Sequence, residues 1–164
     1  MPSTRWLISW LIGWYLVPST KVGTYAIHAY EVSNNMYARL NSNKAVLGAA
    51  DVWYGPQALI PRYPAIIVEP QPKRRSYVGT HRFKLIFTVG IFVYHGKVQG
   101  SELNRQENEQ AASVVEDFIH QDLTLGGLVV AGYVTLVEPG IVFRGEVMVT
   151  STRLTWQGES REGF

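Results

Sequence analysis

The longest alternating stretch of the chain runs from His81 to His95 and predicts a β-strand with two different sides. One side is apolar at every position and carries Phe83, Leu85, Phe87, Val89, Ile91 and Val93. The other side is half polar and carries Arg82, Lys84, Ile86, Thr88, Phe92 and Tyr94. The first side can face a core, whereas the second suits a surface that meets another protein.

Two stretches with helical periodicity flank this strand. Residues 24–41 predict a first helix, with Thr24 as its N-cap and the asparagines at 41 and 43 as its stop. Its apolar stripe is predicted at Ile27, Tyr30, Tyr37 and Leu40. Ser101 can cap a second helix that runs to about Gln121. The apolar face of that helix is predicted at Leu103, Ala111, Val114, Val115 and Phe118.

Shorter strands are predicted at residues 51–54 and 65–69, and residues 73–80 are predicted as a loop. After the second helix, residues 128–137 and 141–157 predict a hairpin that turns at Pro139 and Gly140. Strands outnumber helices in this order of elements. The sequence therefore predicts an α+β fold, in which two main helices pack on one face of a mostly antiparallel sheet.

The chain divides into three parts by composition: an apolar N-terminal extension (1–23), the α+β domain (24–157) and a short polar tail (158–164). The extension contains the run WLISWLIGWYLV at residues 6–17, which is shorter than the roughly 20 residues of a membrane-spanning helix. No convincing signal-peptide cleavage site follows it. Three interpretations stay open: packing on the chain's own domain or a neighbouring subunit, contact with a different protein, or a membrane anchor. Trp6 and Trp10 are candidate interface residues.

The 164-residue chain has the size of one domain, and its 46% hydrophobic content is sufficient for one core. Only 17% of its residues are charged, against about a quarter in an average protein, which suggests that partners cover part of the surface. A net charge of +2 is too small to indicate a general nucleic-acid binder. The lack of cysteine excludes disulfides, thiolate metal sites and cysteine nucleophiles.

Catalytic patterns are weak throughout. Asp51, Glu69 and Lys73 come nearest to the acids and lysine of a metal-dependent nuclease, but their spacing is loose. Neither a glycine-rich phosphate loop nor a serine elbow is present. None of the histidines has a clear set of metal-ligand neighbours: His28, His81, His95 and His120. We therefore expect no enzymatic activity, no metal and no cofactor.

The clearest charged group combines Lys73, Arg74 and Arg75 with Arg82 and Lys84, and Tyr77 and Phe83 interleave with it. This group has two interpretations: it contacts phosphates or an acidic partner, or it is a solvated hairpin tip without a binding role. The group matters most if several copies surround a pore, because their fields then add. Phe92 and Tyr94 on the mixed side of the long strand are further candidates, since aromatic side chains are favoured at interfaces.

The layout resembles the tail terminator proteins of long-tailed, siphovirus-type bacteriophages and, more loosely, other head-to-tail joining proteins of the neck. The resemblance covers residues 24–157 and rests on the first helix, DVWYG at 51–55, YPAIIVEP at 63–70 and the strand at 81–95. The helix ELNRQENEQAASVVEDFIHQ at 102–121 and the strand EVMVTSTRLTW at 146–156 complete it. The apolar start of the chain departs from the family's usual pattern.

The resemblance implies a virion structural protein, assembled in the host cytoplasm, that forms a hexameric ring. Such a ring caps the tail tube, ends tube polymerisation and provides the surface that docks the head. The implied partners are copies of the chain itself, the tail tube protein and a head-closure or connector protein, with DNA passing through the lumen. No membrane is expected. The alternatives are another connector or adaptor of the neck, or a metal-dependent nuclease.

Overall fold

The computed structural model describes residues 28–80, 82–98 and 102–163. The elements in these ranges are α1 (Ala29–Ser42), β1 (Asp51–Tyr54), β2 (Ala65–Pro70), β3 (Arg74–Gly79), β4 (Arg82–Lys97), α2 (Glu102–His120), β5 (Ala131–Arg144) and β6 (Val147–Gly163). The strands form one six-stranded sheet in which only β1 and β2 run parallel. The predicted α+β fold with a mostly antiparallel sheet is confirmed.

The sheet is built around β4, which pairs with β2, β3 and β6. The order across it is β1-β2-β4-β6-β5, and β3 also pairs with β4. Strand β2 pairs with residues 89–94 of β4, and β3 pairs with residues 82–86 of β4. These two short strands therefore lie end to end along the same edge of β4, and β5 forms the far edge of the sheet.

One side of the sheet faces both helices and is called the helix-covered side. Its buried side chains come from four strands: Val52, Ile66, Val68, Leu85, Phe87, Val89, Ile91, Val93, Leu154 and Trp156. They pack against five buried residues of the helices: Val32, Met36, Leu40, Val115 and Ile119. The predicted core side of the long strand is confirmed from Leu85 to Val93, and Phe83 is half-buried.

Helix α1 begins at Ala29, later than predicted, because His28 has extended backbone angles. The His28 N–H donates to the Glu31 carboxylate at 3.0 Å, which satisfies one of the donors at the helix start. The predicted N-cap, Thr24, lies outside the described residues. The predicted stripe is also partly wrong, because Tyr30 is exposed and the buried positions are 32, 33, 36 and 40.

A buried hydroxyl explains how a polar residue joins that stripe. Ser33 Oγ lies 3.0 Å from the Ala29 carbonyl oxygen and 2.8 Å from Tyr54 Oη. The bond to Tyr54 ties α1 to the end of β1, and Tyr37 adds an edge-on ring contact with Tyr54. A buried hydroxyl with partners costs little, so serine occupies a core position here.

Helix α2 ends at His120, close to the predicted end, but its buried face is rotated from the prediction. Ala112, Val115 and Ile119 are buried, whereas Val114 is 44% exposed. The loop that follows is closed by Asp122, whose carboxylate accepts from Thr124 Oγ1 at 2.8 Å and from the Gly126 N–H at 2.7 Å. These hydrogen bonds, that of the Thr124 hydroxyl first, lower the pKa of Asp122.

The β5–β6 hairpin turns at Gly145 and Glu146 rather than at the predicted Pro139 and Gly140. Gly145 has a φ of +65°, which suits the first central position of a two-residue hairpin turn. Pro139 lies within edge strand β5, where proline is tolerated if its nitrogen faces away from the sheet. Strand β6 then continues to Gly163, through residues that the sequence assigned to a polar tail.

Strand β3 is the other correction, because residues 73–80 were predicted as a loop. Strand β4 is longer than β2, so residues 82–86 of β4 leave a free edge that β3 pairs with. Residues 74–79 are compatible with this role, since a basic, exposed strand is common at a sheet edge.

Candidate interaction surface

The side of the sheet opposite the helices is here called the open side, and the described residues cover it at one end only. The proline-rich segment between β1 and β2 crosses that end and places Ile60 in a second small core. The buried partners of Ile60 are Ala65, Ile67, Tyr94 and Val149. Tyr94 is therefore only 5% exposed, so it is a buried residue and not the exposed interface residue that the sequence suggested.

Two arginines stack on aromatic rings at this end of the open side. The Arg144 guanidinium lies 4.7 Å from the Tyr94 ring centroid and donates to Tyr94 Oη at 2.7 Å and to the Gln57 carbonyl oxygen. Arg153 lies 5.5 Å from the Phe92 ring centroid, and Phe92 stacks on Tyr94. Arg144 thus fastens the proline-rich segment to the sheet. These arginines were missed because only strand pairing brings them to the rings.

No described segment covers the remaining part of the open side. Tyr133 is 57% exposed and Leu136 is 50% exposed on β5, next to Gln157 and Thr155 of β6. Ile86 and Thr88 of β4 are half-buried on the same side. This surface mixes polar and apolar groups, as the sequence predicted for the second side of the long strand.

The basic group lies on the β3–β4 hairpin, but strand alternation divides it between two sides. Arg75 lies over the Phe83 ring at 5.5 Å and Lys73 over the Phe87 ring at 5.9 Å, on the helix-covered side. Tyr77 packs edge-on against Phe83 and is exposed. The structure thus gives two smaller basic surfaces instead of the single group expected.

Arg74, Arg82 and Lys84 belong to the open side, because the cross-strand partner of Arg74 is Ile86 and that of Ser76 is Lys84. Arg74 and Arg82 are exposed. The Lys84 ammonium is 2.6 Å from a carboxylate oxygen of Glu159, so this lysine is already ion-paired. Arg161, the cross-strand partner of Lys84, is also exposed on this side, so Arg74, Arg82 and Arg161 are the exposed cations that this end of the open side offers to a partner.

The nuclease hypothesis depended on three residues that the fold keeps apart. Asp51 lies beside Ala65 at the start of β2, four residues before Glu69, which separates the two acids by roughly 13 Å along the strand. The Asp51 carboxylate accepts two hydrogen bonds from Arg62, at 2.7 and 3.1 Å, and this contact raises the pKa of Arg62. Lys73 lies over Phe87 on the other side of the sheet. The three residues form no common site.

The described histidines have separate environments. His120 Nε2 accepts the Val134 N–H at 3.0 Å, which links α2 to β5. His95 is inserted by a β-bulge in β4, and its Nε2 lies 2.8 Å from Thr152 Oγ1. Burial lowers the pKa of His95 to about 4, so its neutral form is favoured. Within the described ranges, no three histidines, aspartates or glutamates are grouped to hold a metal ion.

The predicted extension, with Trp6 and Trp10, lies outside the described residues. Neither helix in the described ranges combines the length and the apolar character that crossing a bilayer requires. No protein-family model matches the chain, and no curated protein matches it.

Proposed function

We propose that this chain is a structural subunit that assembles with copies of itself into a hexameric ring. The observation that carries this proposal is the number of large apolar side chains that the described residues leave exposed along β5 and at the start of β6. They are Tyr133, Leu136, Val137, Ile141, Phe143 and Met148. Tyr133 and Leu136 lie on the open side, whereas Val137, Ile141, Phe143 and Met148 lie on the other side of the sheet. Exposed apolar groups of this kind usually mark sites of protein–protein contact.

Within that role, we propose the tail terminator of a long-tailed bacteriophage. The ring caps the tail tube, stops its polymerisation and presents a docking surface to the head. Its partners are then the tail tube protein and a head-closure or connector protein, with DNA in the lumen, and the ring belongs to the virion after assembly in the host cytoplasm. The mixed open side and the two basic surfaces of the β3–β4 hairpin suit ring-on-ring contacts and a lumen.

Native mass spectrometry and electron microscopy of the purified chain test the assembly. We expect a closed hexameric ring, alone or on tail tubes. A chain that stays monomeric at high concentration and is absent from virions would contradict the proposal. Labelling within assembled particles separates the two neck roles, because a terminator contacts the tail tube and a connector contacts the portal.

A further inference from the structure

Strand β5 forms an edge of the sheet, and its two halves differ in what lies beside that edge. Before its β-bulge, the Gly132 N–H donates to the Leu123 carbonyl oxygen at 2.7 Å. The Val134 N–H donates to His120 Nε2 at 3.0 Å, so the first half is closed within the chain. Beyond the bulge, no described residue outside the sheet bonds to the backbone of residues 137–143. A strand edge of this kind offers N–H and C=O groups to another chain.

The hairpin turn shows which backbone groups of the second half point outward. A two-residue turn closes on a hydrogen-bonded pair, which here is Arg144 with Val147. Every second residue back from Arg144 therefore bonds to β6, and the residues between them direct their N–H and C=O groups away from the sheet. These outward residues are Val137, Pro139, Ile141 and Phe143. Pro139 agrees with this assignment, because its nitrogen has no hydrogen to give to β6.

The same four residues form an apolar row on the helix-covered side that neither described helix covers. Val137 is 42% exposed, Ile141 is 54% exposed and Phe143 is 71% exposed. Pro139 is exposed between them. A strand that pairs with this edge must therefore present apolar side chains at alternate positions on the same side, so that the row is buried rather than placed against charge.

A second copy of β5 meets this requirement. Antiparallel pairing centred on Gly140 places Val137 opposite Phe143 of the other copy and Pro139 opposite Ile141, and symmetry repeats both contacts. Every cross-strand pair on the helix-covered side is then apolar. Roughly six backbone hydrogen bonds form, since among the outward groups only the two proline nitrogens have no hydrogen to donate.

The neighbouring registers are less favourable. Centring on Glu138 places two carboxylates side by side, and like charges on adjacent strands repel. Centring on Pro139 places the two prolines opposite each other and removes both donors from the middle of the ladder. Centring on Ile141 shortens the ladder, because Val137 then lies opposite the hairpin turn. The register centred on Gly140 avoids all three costs.

We infer that two copies associate about a twofold axis through residues 137–143 of β5, so that their sheets join into one. This inference rests on the proposed self-assembly and specifies one of its contacts. Because the contact uses the same surface of both copies, it closes at a pair, and a ring of six needs a second contact between pairs.

An introduced cysteine tests the register, since the chain has no native cysteine. A Cβ at Gly140 has no heavy atom within 4 Å, so Gly140→Cys fits the folded chain. At the centre of the pair the two Cα atoms would be about 4.5 Å apart, which is within the range of a disulfide. Under mild oxidation we expect Gly140→Cys to give a disulfide-linked dimer.

Glu138→Cys is the matched control, because Glu138 is exposed and lies on the same side of β5. In the inferred register the two Cα atoms at this position are roughly 13 Å apart, which is too far for a disulfide. It should stay unlinked. An equal yield of dimer from both variants, or no dimer from Gly140→Cys, would overturn the inference. The second outcome would leave this edge to the N-terminal residues or to a different protein.

A lysine on the outward row gives a second measurement. Ile141→Lys, added to Gly140→Cys, should lower the disulfide yield by roughly tenfold or more, because a lysine on an edge strand opposes pairing. Val114→Lys in the same background is the control, since Val114 is a comparably exposed apolar residue on α2. It should leave the yield unchanged. Equal yields from the two lysine variants would contradict the contact.

The two proposals fail in different ways. If the wild type forms rings while Gly140→Cys gives no dimer and Ile141→Lys alone assembles normally, the twofold contact is wrong and the ring proposal stands. If the wild type does not self-associate under any condition, both are wrong. Unchanged circular dichroism of each variant is required, so that a loss of dimer reports on the contact and not on the fold.

Discussion

The two sides of the sheet are formed by the same strands but differ in how deeply their side chains are buried. On the helix-covered side, Leu154 of β6 is fully buried among residues from both helices and three other strands. On the open side, Leu136 of the adjacent strand β5 is half exposed. Within the described part of the chain, folding of a single copy therefore buries the first side and leaves much of the second exposed. Apolar residues that do not stabilise the monomer are suited to stabilise an assembly.

The aromatic residues of the two sides show the same difference. The Trp156 indole is buried against the strand glycines Gly132 and Gly158, where there is no room for a larger residue. Tyr133, one position along from Gly132, points to the opposite side and is exposed. The alternation of β5 thus separates a residue that fits the core from a residue that is available for contact.

The largest expected effect comes from a matched pair of leucines on the two sides. Leu154→Ala should lower the free energy of unfolding by about 4 kcal/mol, because it leaves a cavity in a packed core. Leu136→Ala should change it by less than about 0.5 kcal/mol. Urea denaturation followed by tryptophan fluorescence, at a concentration where the chain is monomeric, measures both. A large loss for Leu136→Ala would show that the open side belongs to the monomer's core.

The next effect concerns the glycines beneath Trp156. A Cβ at Gly158 would lie 2.2 Å from an indole ring carbon, and one at Gly132 would lie 2.1 Å from another. Gly158→Ala should therefore destabilise by about 3 kcal/mol, since the ring is enclosed and must move. Gly140→Ala is the control, because no heavy atom lies within 4 Å of that Cβ. Equal urea midpoints for the two variants would contradict this account of the core.

These contrasts also show what the sequence allowed us to predict. The period of two along β4 was enough to assign its core side, because a strand buried on one side cannot shift by one residue without exposing its core. The hydropathy pattern predicted the wrong buried residues for α1, where Tyr30 is exposed and Ser33 is buried with its hydroxyl bonded to Tyr54. That bond joins residues of different elements, so no local pattern reports it.

The candidate surface was less predictable than the fold. The basic residues were found, but their division between two sides depends on β3 being a strand, which the charge of residues 73–75 concealed. The hairpin turn was placed at Pro139 because Pro-Gly usually marks a turn. The edge position of β5, which tolerates the proline, follows only from the order of strands in the sheet. Long-range pairing decides all of these features.

The smallest of the expected stability effects tests His95, a half-buried histidine on the helix-covered side. His95 has a pKa of about 4 in the folded chain, where burial disfavours its charged form, against about 6.5 for an ordinary histidine. Between pH 6.5 and 4 the unfolded chain therefore binds a proton that the folded chain does not bind. The free energy of unfolding falls as the pH is lowered through this window.

His95→Gln removes this proton uptake while keeping a hydrogen-bonding partner for Thr152. Between pH 7 and 4, the free energy of unfolding of His95→Gln should fall by about 1–2 kcal/mol less than that of the wild type. This difference is smaller than the full pKa shift would give, because the ring is partly exposed. Thr152→Val is the control, since it removes the 2.8 Å contact but leaves the histidine titratable. Urea unfolding across this range, with an NMR titration of the His95 ring, measures the difference. If His95→Gln and the wild type lose stability in parallel, the histidine is open to solvent. The helix-covered side would then be less completely closed at the β4 bulge than along the rest of the strand.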